Sequence, residues 1–188
     1  MRVLACFLSH PHTAFYKREL ARKLDMSPSA VVRALESFES DGILRKEVRG
    51  REHFFTLNIE NCIVPPLKKA YGLALILSVR PEKAFLAADS GIISLALYGS
   101  YARGDFDERS DIDFLVLTHG DRSKLMSALR SIEDDLGIEA NLTVFRLSDW
   151  KSMADSEDAF YKNVERDYII LHGSDIKWRY QNASGEGF

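Results

Sequence analysis

The chain has 188 residues and a formal net charge of −3, and its 46% hydrophobic and 28% charged residues exclude a wholly disordered protein. No apolar run reaches the roughly 18 residues that a membrane-spanning helix needs, and two cysteines, Cys6 and Cys62, cannot form a disulfide framework. We therefore expect a reduced, cytoplasmic protein with one domain or two small ones and no membrane partner.

The first forty residues carry the pattern of three short helices. Apolar residues at helical spacing predict helices near residues 3–8 and 16–24. Ser27 and Pro28 then form the clearest helix start in the chain, because serine caps free N–H groups and proline at the first helical position loses no hydrogen bond. Gly42 is a natural end for this third helix.

A basic hairpin follows the third helix. Residues 43–48 and 53–57 read as strands, and they meet at residues 49–51, where Gly50 permits the positive φ of a tight turn. Residues 1–60 contain ten Lys and Arg against eight Asp and Glu, a net charge of +2, so the remainder of the chain carries −5. This first part of the chain is therefore mildly basic.

The order of these elements resembles a winged helix-turn-helix domain, of the kind often found at the N-terminus of small prokaryotic regulators. The resemblance implies that the third helix enters the major groove of double-stranded DNA and that the hairpin meets phosphates. The residues implied to face the groove are Ser27, Ser29, Val32 and Arg33. Those implied to hold the DNA backbone are Arg45, Lys46, Arg49 and Arg51. A domain used only for protein contact or dimerisation is the alternative.

Residues 61–81 are predicted to form a linker and a connecting helix. Pro65 and Pro66 interrupt continuing structure, and the helix is expected over residues 67–80. Residues 73–77 are apolar nearly all round the helix. We therefore expect this helix to be buried between domains or in a homodimer contact.

The most specific pattern lies in the middle of the chain. Residues 92–98 read as a strand covered on both faces, and they lead directly into Gly-Ser-Tyr-Ala-Arg-Gly at residues 99–104. Residues 111–117 read as a second strand. Side chains alternate along a strand, so Asp111 and Asp113 are expected on the same face.

These residue types suit chemistry on a polyphosphate. Mg²⁺ is coordinated by one or two carboxylates together with phosphate oxygens. Two such ions stabilise the attacking and leaving oxygens of an in-line phosphoryl displacement. Gly99 lets the backbone approach a phosphate, and Ser100 offers a hydroxyl and an N–H at a strand-to-helix turn, where an anion is favoured. Arg103 can add positive charge beside a triphosphate.

Gly99-Ser100, followed after ten residues by Asp-Ile-Asp at 111–113, resembles the signature of the DNA polymerase β-type nucleotidyltransferase superfamily. The longer sequences around both motifs, at residues 99–104 and 110–116, are similar to those of the minimal branch of that superfamily. This branch includes antitoxins paired with HEPN-type toxins. The resemblance covers residues 82–173. It implies an α+β fold with a small mixed β-sheet flanked by helices.

The resemblance also implies roles for individual residues. Gly99, Ser100 and Arg103 correspond to the residues that bind the nucleoside triphosphate in this superfamily. Asp111 and Asp113 correspond to the aspartates that hold Mg²⁺. ATP is therefore the expected substrate and Mg²⁺ the expected cofactor.

The superfamily normally has a third carboxylate, which binds the catalytic metal and helps to deprotonate the attacking hydroxyl. It lies on the strand after the next helix, and here these elements are predicted at residues 139–145 and 122–136. Matching hydrophobic neighbours puts the third position at Asn141, which cannot become anionic. Glu139 lies two residues earlier on the same face, so a shift in register would supply the carboxylate. Both alternatives stay open.

We therefore predict a winged helix over residues 1–60, a linker and connecting helix over 61–81, a nucleotidyltransferase domain over 82–175 and a C-terminal tail over 176–188. The expected reaction is Mg²⁺-dependent transfer of AMP from ATP to a hydroxyl, with a protein acceptor such as a HEPN-type toxin. The alternative is a non-catalytic DNA-binding regulator whose nucleotidyltransferase-like domain binds nucleotide or a partner protein. The histidines lack metal-ligand spacing, so no zinc site is assigned.

Overall fold

The computed structural model describes residues 2–178, so most of the predicted C-terminal tail lies outside the described residues. The elements in chain order are α1 (Arg2–Ser9), β1 (Phe15–Tyr16), α2 (Lys17–Lys23), α3 (Pro28–Ser40), β2 (Leu44–Arg49), β3 (Glu52–Leu57), α4 (Val64–Ser78), α5 (Pro81–Ala88), β4 (Ser94–Tyr98), α6 (Gly99–Arg103), β5 (Ile112–Leu117), α7 (Arg122–Leu136), β6 (Ala140–Phe145), α8 (Leu147–Asp155), α9 (Ala159–Arg166) and β7 (Tyr168–Gly173). No helix in residues 2–178 has the length and apolar content needed to cross a membrane.

The chain forms two compact units that are not contiguous in sequence. The first unit contains the residues up to Val79 together with Ser100–Asp111. The second unit contains Arg80–Gly99 and the residues from Ile112 onward. The segment that follows Gly99 in the sequence therefore packs with the first unit.

The first unit has a core formed by its helices and a three-stranded antiparallel sheet in the order β1-β3-β2. Phe7 of α1, Leu20 of α2 and Leu35 of α3 are all at most 1% exposed. The start of α3 is as predicted, since the Ser27 hydroxyl accepts a hydrogen bond from the Ala30 N–H at 3.3 Å. The three helices and the hairpin expected from the sequence are present, and the winged helix-turn-helix assignment remains a prediction.

Helix α4 differs from the expected connecting helix. It begins at Val64, so Pro65 and Pro66 lie inside its first turn and do not precede it. Proline is tolerated there because the first N–H groups of a helix have no intrahelical partner. The apolar run at residues 73–77 is not buried throughout, since Ile76 is fully buried while Leu77 is 43% exposed.

The second unit contains a four-stranded mixed sheet in the order β6-β5-β4-β7. Strands β5 and β6 are parallel and are connected through α7, whereas β4 is antiparallel to both β5 and β7. One face of the sheet includes Phe114, which packs edge-on against Phe85 of α5. The other face includes Leu115, which shares a buried cluster with Trp150 of α8. The predicted α+β fold with a small mixed sheet flanked by helices is therefore confirmed for this unit.

The later part of the second unit contains elements that the sequence analysis did not predict. Helices α8 and α9 follow β6, and β7 adds the strand next to β4. The three strands predicted in this unit all start later than expected, since β4 begins at Ser94, β5 at Ile112 and β6 at Ala140. Asp111 therefore precedes β5, and only Asp113 lies within it.

Candidate active site

Gly99 directly follows the buried strand β4 and begins α6 in a conformation that favours glycine. Its φ is +72°, which L side chains rarely adopt. A Cβ added at Gly99 would overlap the carboxylate of Asp113, which belongs to the neighbouring strand. The sequence predicts a phosphate in the free space at Gly99, whereas in the structure the Asp113 carboxylate lies against it.

Strand pairing fixes the position of Asp113 on two sides. In the sheet, Asp113 is paired with Tyr98 of the antiparallel β4 and with Asn141 of the parallel β6. The Asn141 side-chain Nδ2 donates a hydrogen bond to Asp113 Oδ1 at 3.1 Å. Asp113 is half-buried, and the hydrogen bond from Asn141 supports one orientation of its carboxylate.

The register also shows where Asn141 and Glu139 lie, the two candidates for the position of the third carboxylate. Asn141 is paired with Asp113, while Glu139 precedes β6 and is exposed. The Glu139 backbone carbonyl accepts a hydrogen bond from the Ile112 N–H at 2.9 Å. The side chain that contacts Asp113 from β6 is therefore an amide.

The environment of Asp113 affects a nearby phenol. Burial raises the pKa of the Tyr98 hydroxyl; the hydrogen bond with Thr143 opposes this effect, and the negative charge of Asp113 adds to it. The same hydroxyl lies 3.1 Å from the Thr143 hydroxyl of β6. Tyr98 therefore remains a neutral hydrogen-bonding group at ordinary pH.

Ser100 and Arg103, two of the three residues expected to bind the triphosphate, lie at the start of the segment Ser100–Asp111 in the first unit. Ser100 is half-buried in the short helix α6, and its carbonyl accepts a hydrogen bond from the Gly104 N–H at 2.8 Å. Arg103 is exposed, and its Nε lies 3.0 Å from Asp105 Oδ2. Exposed ion pairs of this kind contribute little to stability, so Arg103 can exchange Asp105 for another anion.

The loop between Arg103 and Asp111 is ordered by its own hydrogen bonds. Asp107 Oδ1 accepts from the Arg109 N–H at 2.9 Å and from the Ser110 hydroxyl at 3.1 Å. These bonds hold the pKa of the Asp107 carboxyl below its usual range, the Arg109 N–H being the larger cause. Asp111, at the end of this loop, is exposed.

Asp111 and Asp113 are the carboxylates that are expected from the sequence to hold a cation. In residues 2–178 no group of three or more His, Cys, Asp and Glu side chains is arranged to hold a metal ion. This finding is compatible with Mg²⁺, which uses one or two carboxylates and completes its shell with phosphate oxygens and water.

Of the four residues expected to face the DNA groove, three are exposed. Ser27, Ser29 and Arg33 are exposed, whereas Val32 is half-buried. The two serine hydroxyls lie 3.3 Å apart. Ser27 is therefore engaged in capping the helix and in contact with Ser29.

Three of the four basic hairpin residues have carboxylate partners within the chain. The pairs are Arg45 with Glu60, Lys46 with Glu39 at 3.8 Å, and Arg49 with Glu47 at 2.7 Å. The hydrogen bond from Arg49 also lowers the pKa of the Glu47 carboxyl. These partners reduce the positive charge that the hairpin presents to a phosphate.

Arg51 differs from the other three because it has no ion pair with any of the described residues. It lies in a cleft whose lining residues are Tyr16, Lys17, Arg18, Arg51, Glu52 and His53. Lys17 and Arg18 are not among the DNA-binding residues expected from the sequence. Their adjacent basic side chains at the start of α2 were the available signal.

Comparison with known proteins finds a family match for one part of the chain. Residues 82–174 match the family model described as a nucleotidyltransferase domain. No curated protein matches the chain. The predicted nucleotidyltransferase resemblance is confirmed for these residues.

Two solved structures are also similar to part of the chain. The first is a toxin–antitoxin with AMP-PNP, at 20% identity and a TM-score of 0.39, covering 50% of this chain and 70% of that one. The second contains the tri-AMPylated HEPN toxin of Shewanella oneidensis in complex with an MNT antitoxin, at 15% identity and a TM-score of 0.36, covering 55% of this chain and 73% of that one.

Proposed function

We propose that this protein is a nucleotidyltransferase that transfers AMP from ATP to a hydroxyl group. The match of residues 82–174 to the nucleotidyltransferase domain supports the reaction class. The observation that carries the proposal is the close approach of Gly99 and Asp113, which joins the two sequence motifs in the second unit. In the proposed reaction the acceptor oxygen forms a bond to the α-phosphorus, and the bond to the leaving pyrophosphate breaks.

Asp111 and Asp113 are the residues that would hold Mg²⁺ in this reaction. Their carboxylate oxygens are the donors that this ion prefers, and the hydrogen bond from Asn141 supports one orientation of Asp113. When bound, Mg²⁺ neutralises charge on the triphosphate and orients it for displacement. Asp113 accordingly needs to remain ionised for binding.

Gly99, Ser100 and Arg103 are proposed to bind the triphosphate. The Ser100 hydroxyl supplies a donor at the beginning of α6, and Arg103 supplies positive charge once it leaves Asp105. Holding the phosphates in one position lowers the entropic part of the barrier to transfer.

The proton of the acceptor hydroxyl needs a base. Asn141 cannot take a proton. We therefore assign the role of base to Glu139, the carboxylate that directly precedes β6. Because Asn141 has the position beside Asp113, we expect slow transfer. An alternative that the same observation favours is a domain that binds nucleotide without turning it over.

The acceptor is proposed to be a tyrosine or serine hydroxyl of a partner protein of the HEPN-toxin type. This proposal depends on the similarity of residues 99–104 and 110–116 to the minimal nucleotidyltransferase branch. It is tested by incubating the full chain with Mg²⁺, the product of the neighbouring gene and ATP labelled at either the α- or the γ-phosphate. Label on the partner from α-labelled ATP alone supports nucleotidyl transfer. Label from γ-labelled ATP would identify a kinase and contradict it.

A second proposed activity is the binding of double-stranded DNA by the first unit. The order of α1 to α3 and the β2–β3 hairpin supports a winged helix. The cleft containing Lys17, Arg18 and Arg51 adds basic side chains that have no ion pair among residues 2–178. Contacts to phosphates release counterions, so the affinity is expected to fall steeply with salt. An affinity that does not change with salt would contradict phosphate binding.

A further inference from the structure

Lys68 is a buried lysine on α4 that the proposed reaction does not use directly. It is 6% exposed, and among the charged side chains of residues 2–178 it is the only one that is buried. Burial lowers the pKa of its ammonium group, while the charges of Asp105, Asp107 and Glu108 oppose this effect. Removing an ammonium group from water is unfavourable unless specific partners compensate.

The partner of Lys68 lies in the segment between the two nucleotidyltransferase motifs. Its Nζ donates a hydrogen bond to the backbone carbonyl of Phe106 and lies 4.9 Å from the centre of the Phe106 ring. A cation above an aromatic face is attracted by the ring electrons. Lys68 therefore holds both the main chain and the side chain of Phe106.

Helix α4 also packs closely against other residues of this segment. The rings of Tyr101 and Phe106 are stacked at 4.3 Å, and a Cβ added at Gly72 would lie 2.6 Å from Phe106 Cε1. One turn earlier on the helix, the backbone of Lys69 meets Gly104, which has a φ of +89° and whose added Cβ would lie 3.0 Å from the Lys69 backbone N. Neither glycine can carry a side chain without moving its neighbour.

Helix α4 is itself fixed within the first unit. Val64, in its first turn, belongs to the hydrophobic core of that unit. Tyr71 makes a hydrogen bond with Ser9 of α1 at 3.0 Å between their hydroxyls. The surface formed by the Lys68 side chain, the Lys69 backbone and Gly72 is therefore a rigid support for residues 100–111.

We propose that Lys68 is a positioning residue for nucleotide binding, because it holds the segment that carries Ser100 and Arg103 and ends at Asp111. The proposal rests on the proposed function, in which those three residues contact the triphosphate and its cation. Small displacements of positioning groups weaken binding and transfer strongly, even when the displaced residues remain present.

The test compares Lys68→Met with Lys69→Met in the full chain. Lys69 is the next residue on the same helix and is exposed, and its ammonium group has no hydrogen bond or ion pair within residues 2–178. Its contact with Gly104 uses the backbone and Cβ, which methionine retains, so this change removes the same charge and leaves the support intact.

The dissociation constant of ATP is measured by titration calorimetry with Mg²⁺ present, at a temperature where near-UV circular dichroism shows each variant to be folded. Lys68→Met is expected to weaken ATP binding by about tenfold, because a hydrogen bond from a buried charged group is lost. Lys69→Met is expected to bind like the wild type. Equal weakening by both changes would attribute the effect to general charge and overturn the positioning role.

A role confined to stability gives a different result. In that case Lys68→Met lowers the midpoint of thermal unfolding while the folded protein binds ATP with the wild-type constant, and this outcome would overturn the proposal. If Lys68→Met does not fold, Lys68→Gln gives the same comparison, because glutamine is too short to reach the Phe106 carbonyl in the same way. An unchanged constant in Lys68→Gln would likewise overturn the positioning role. A wild-type chain that does not bind ATP would instead reject the proposed function together with this role.

Discussion

At the scale of single residues, the site depends on the contact between Gly99 and Asp113. The two residues are brought together by antiparallel pairing of β4 and β5, which puts Asp113 opposite Tyr98. The sequence predicted both motifs and the strands that carry them. It could not predict this contact, because the sequence contains no information on how closely a carboxylate approaches a particular backbone atom. The structure therefore gives Gly99 a second reason to be glycine.

Replacing Gly99 by alanine tests that contact. Gly99→Ala is expected to displace the Asp113 carboxylate and to lower transfer by about 100-fold, as misplaced catalytic groups do. Gly137→Ala is the matched control, because Gly137 has a similar φ of +65° but no described atom within 4 Å of an added Cβ. Both variants are expected to lose about 1 kcal/mol of unfolding free energy through backbone strain. Equal activity of the two variants in the transfer assay would contradict the importance of the contact.

The position of Asn141 could be predicted from the sequence, but whether Glu139 takes over its role could not. Hydrophobic neighbours alone aligned Asn141 with the third carboxylate, and in the structure its amide contacts Asp113. Whether Glu139 could replace it depends on which side chains surround the substrate. That information is not contained in the periodicity of a strand.

Asn141→Asp is expected to make the protein a faster enzyme and a less stable one. A carboxylate beside Asp113 adds like-charge repulsion, which Mg²⁺ relieves. We expect a lower unfolding midpoint without Mg²⁺, a larger rise on its addition than in the wild type, and transfer faster by about tenfold. Calorimetric unfolding and the labelled-ATP assay measure these effects, with Glu139→Gln as the comparison, which is expected to slow the wild-type reaction. No change in either rate or Mg²⁺ response for Asn141→Asp would be inconsistent with a role for this position.

At the scale of elements, the sequence predicted those helix boundaries that depend on the residues next to them. Helix α3 starts where Ser27 and Pro28 indicated, and α7 matches its predicted range of residues 122–136. The start of α4 was wrong because proline in a first turn and proline in a linker look the same in sequence. Strand β7 was missed because its partner β4 is distant in the chain, and pairing over that distance leaves no local pattern.

The hairpin and the start of α2 give a prediction for DNA binding. Arg51 has no ion pair among the described residues, whereas Arg45 is paired with Glu60. Arg51→Ala is therefore expected to weaken binding to duplex DNA more than Arg45→Ala and to reduce the slope of log affinity against log salt by about 1. Fluorescence anisotropy at several salt concentrations measures both quantities. A larger effect of Arg45→Ala would contradict the assignment of the phosphate contact to Arg51.

At the scale of the whole molecule, residues 100–111 pack with the first compact unit, although their neighbours in the sequence on both sides belong to the second. Gly99 and Asp113 belong to the second unit, whereas Ser100, Arg103 and Asp111 belong to the segment that packs with the first. Sequence analysis could not predict this division, because the buried contacts of Lys68 and Gly72 with Phe106 join residues that are far apart in the chain. Nothing local distinguishes the buried Lys68 from the exposed lysine that follows it.

The central claim is that the carboxylate of Asp113 serves nucleotidyl transfer. The direct measurement is the release of pyrophosphate and the transfer of α-phosphate label from ATP, compared between Asp113→Asn and Asp135→Asn in the full chain. Both changes replace one carboxylate by an amide in the second unit, and Asp135 is an exposed residue of α7. We expect Asp113→Asn to abolish Mg²⁺-dependent label transfer and Asp135→Asn to leave it unchanged. Label transfer at the wild-type rate by a folded Asp113→Asn protein would contradict the account.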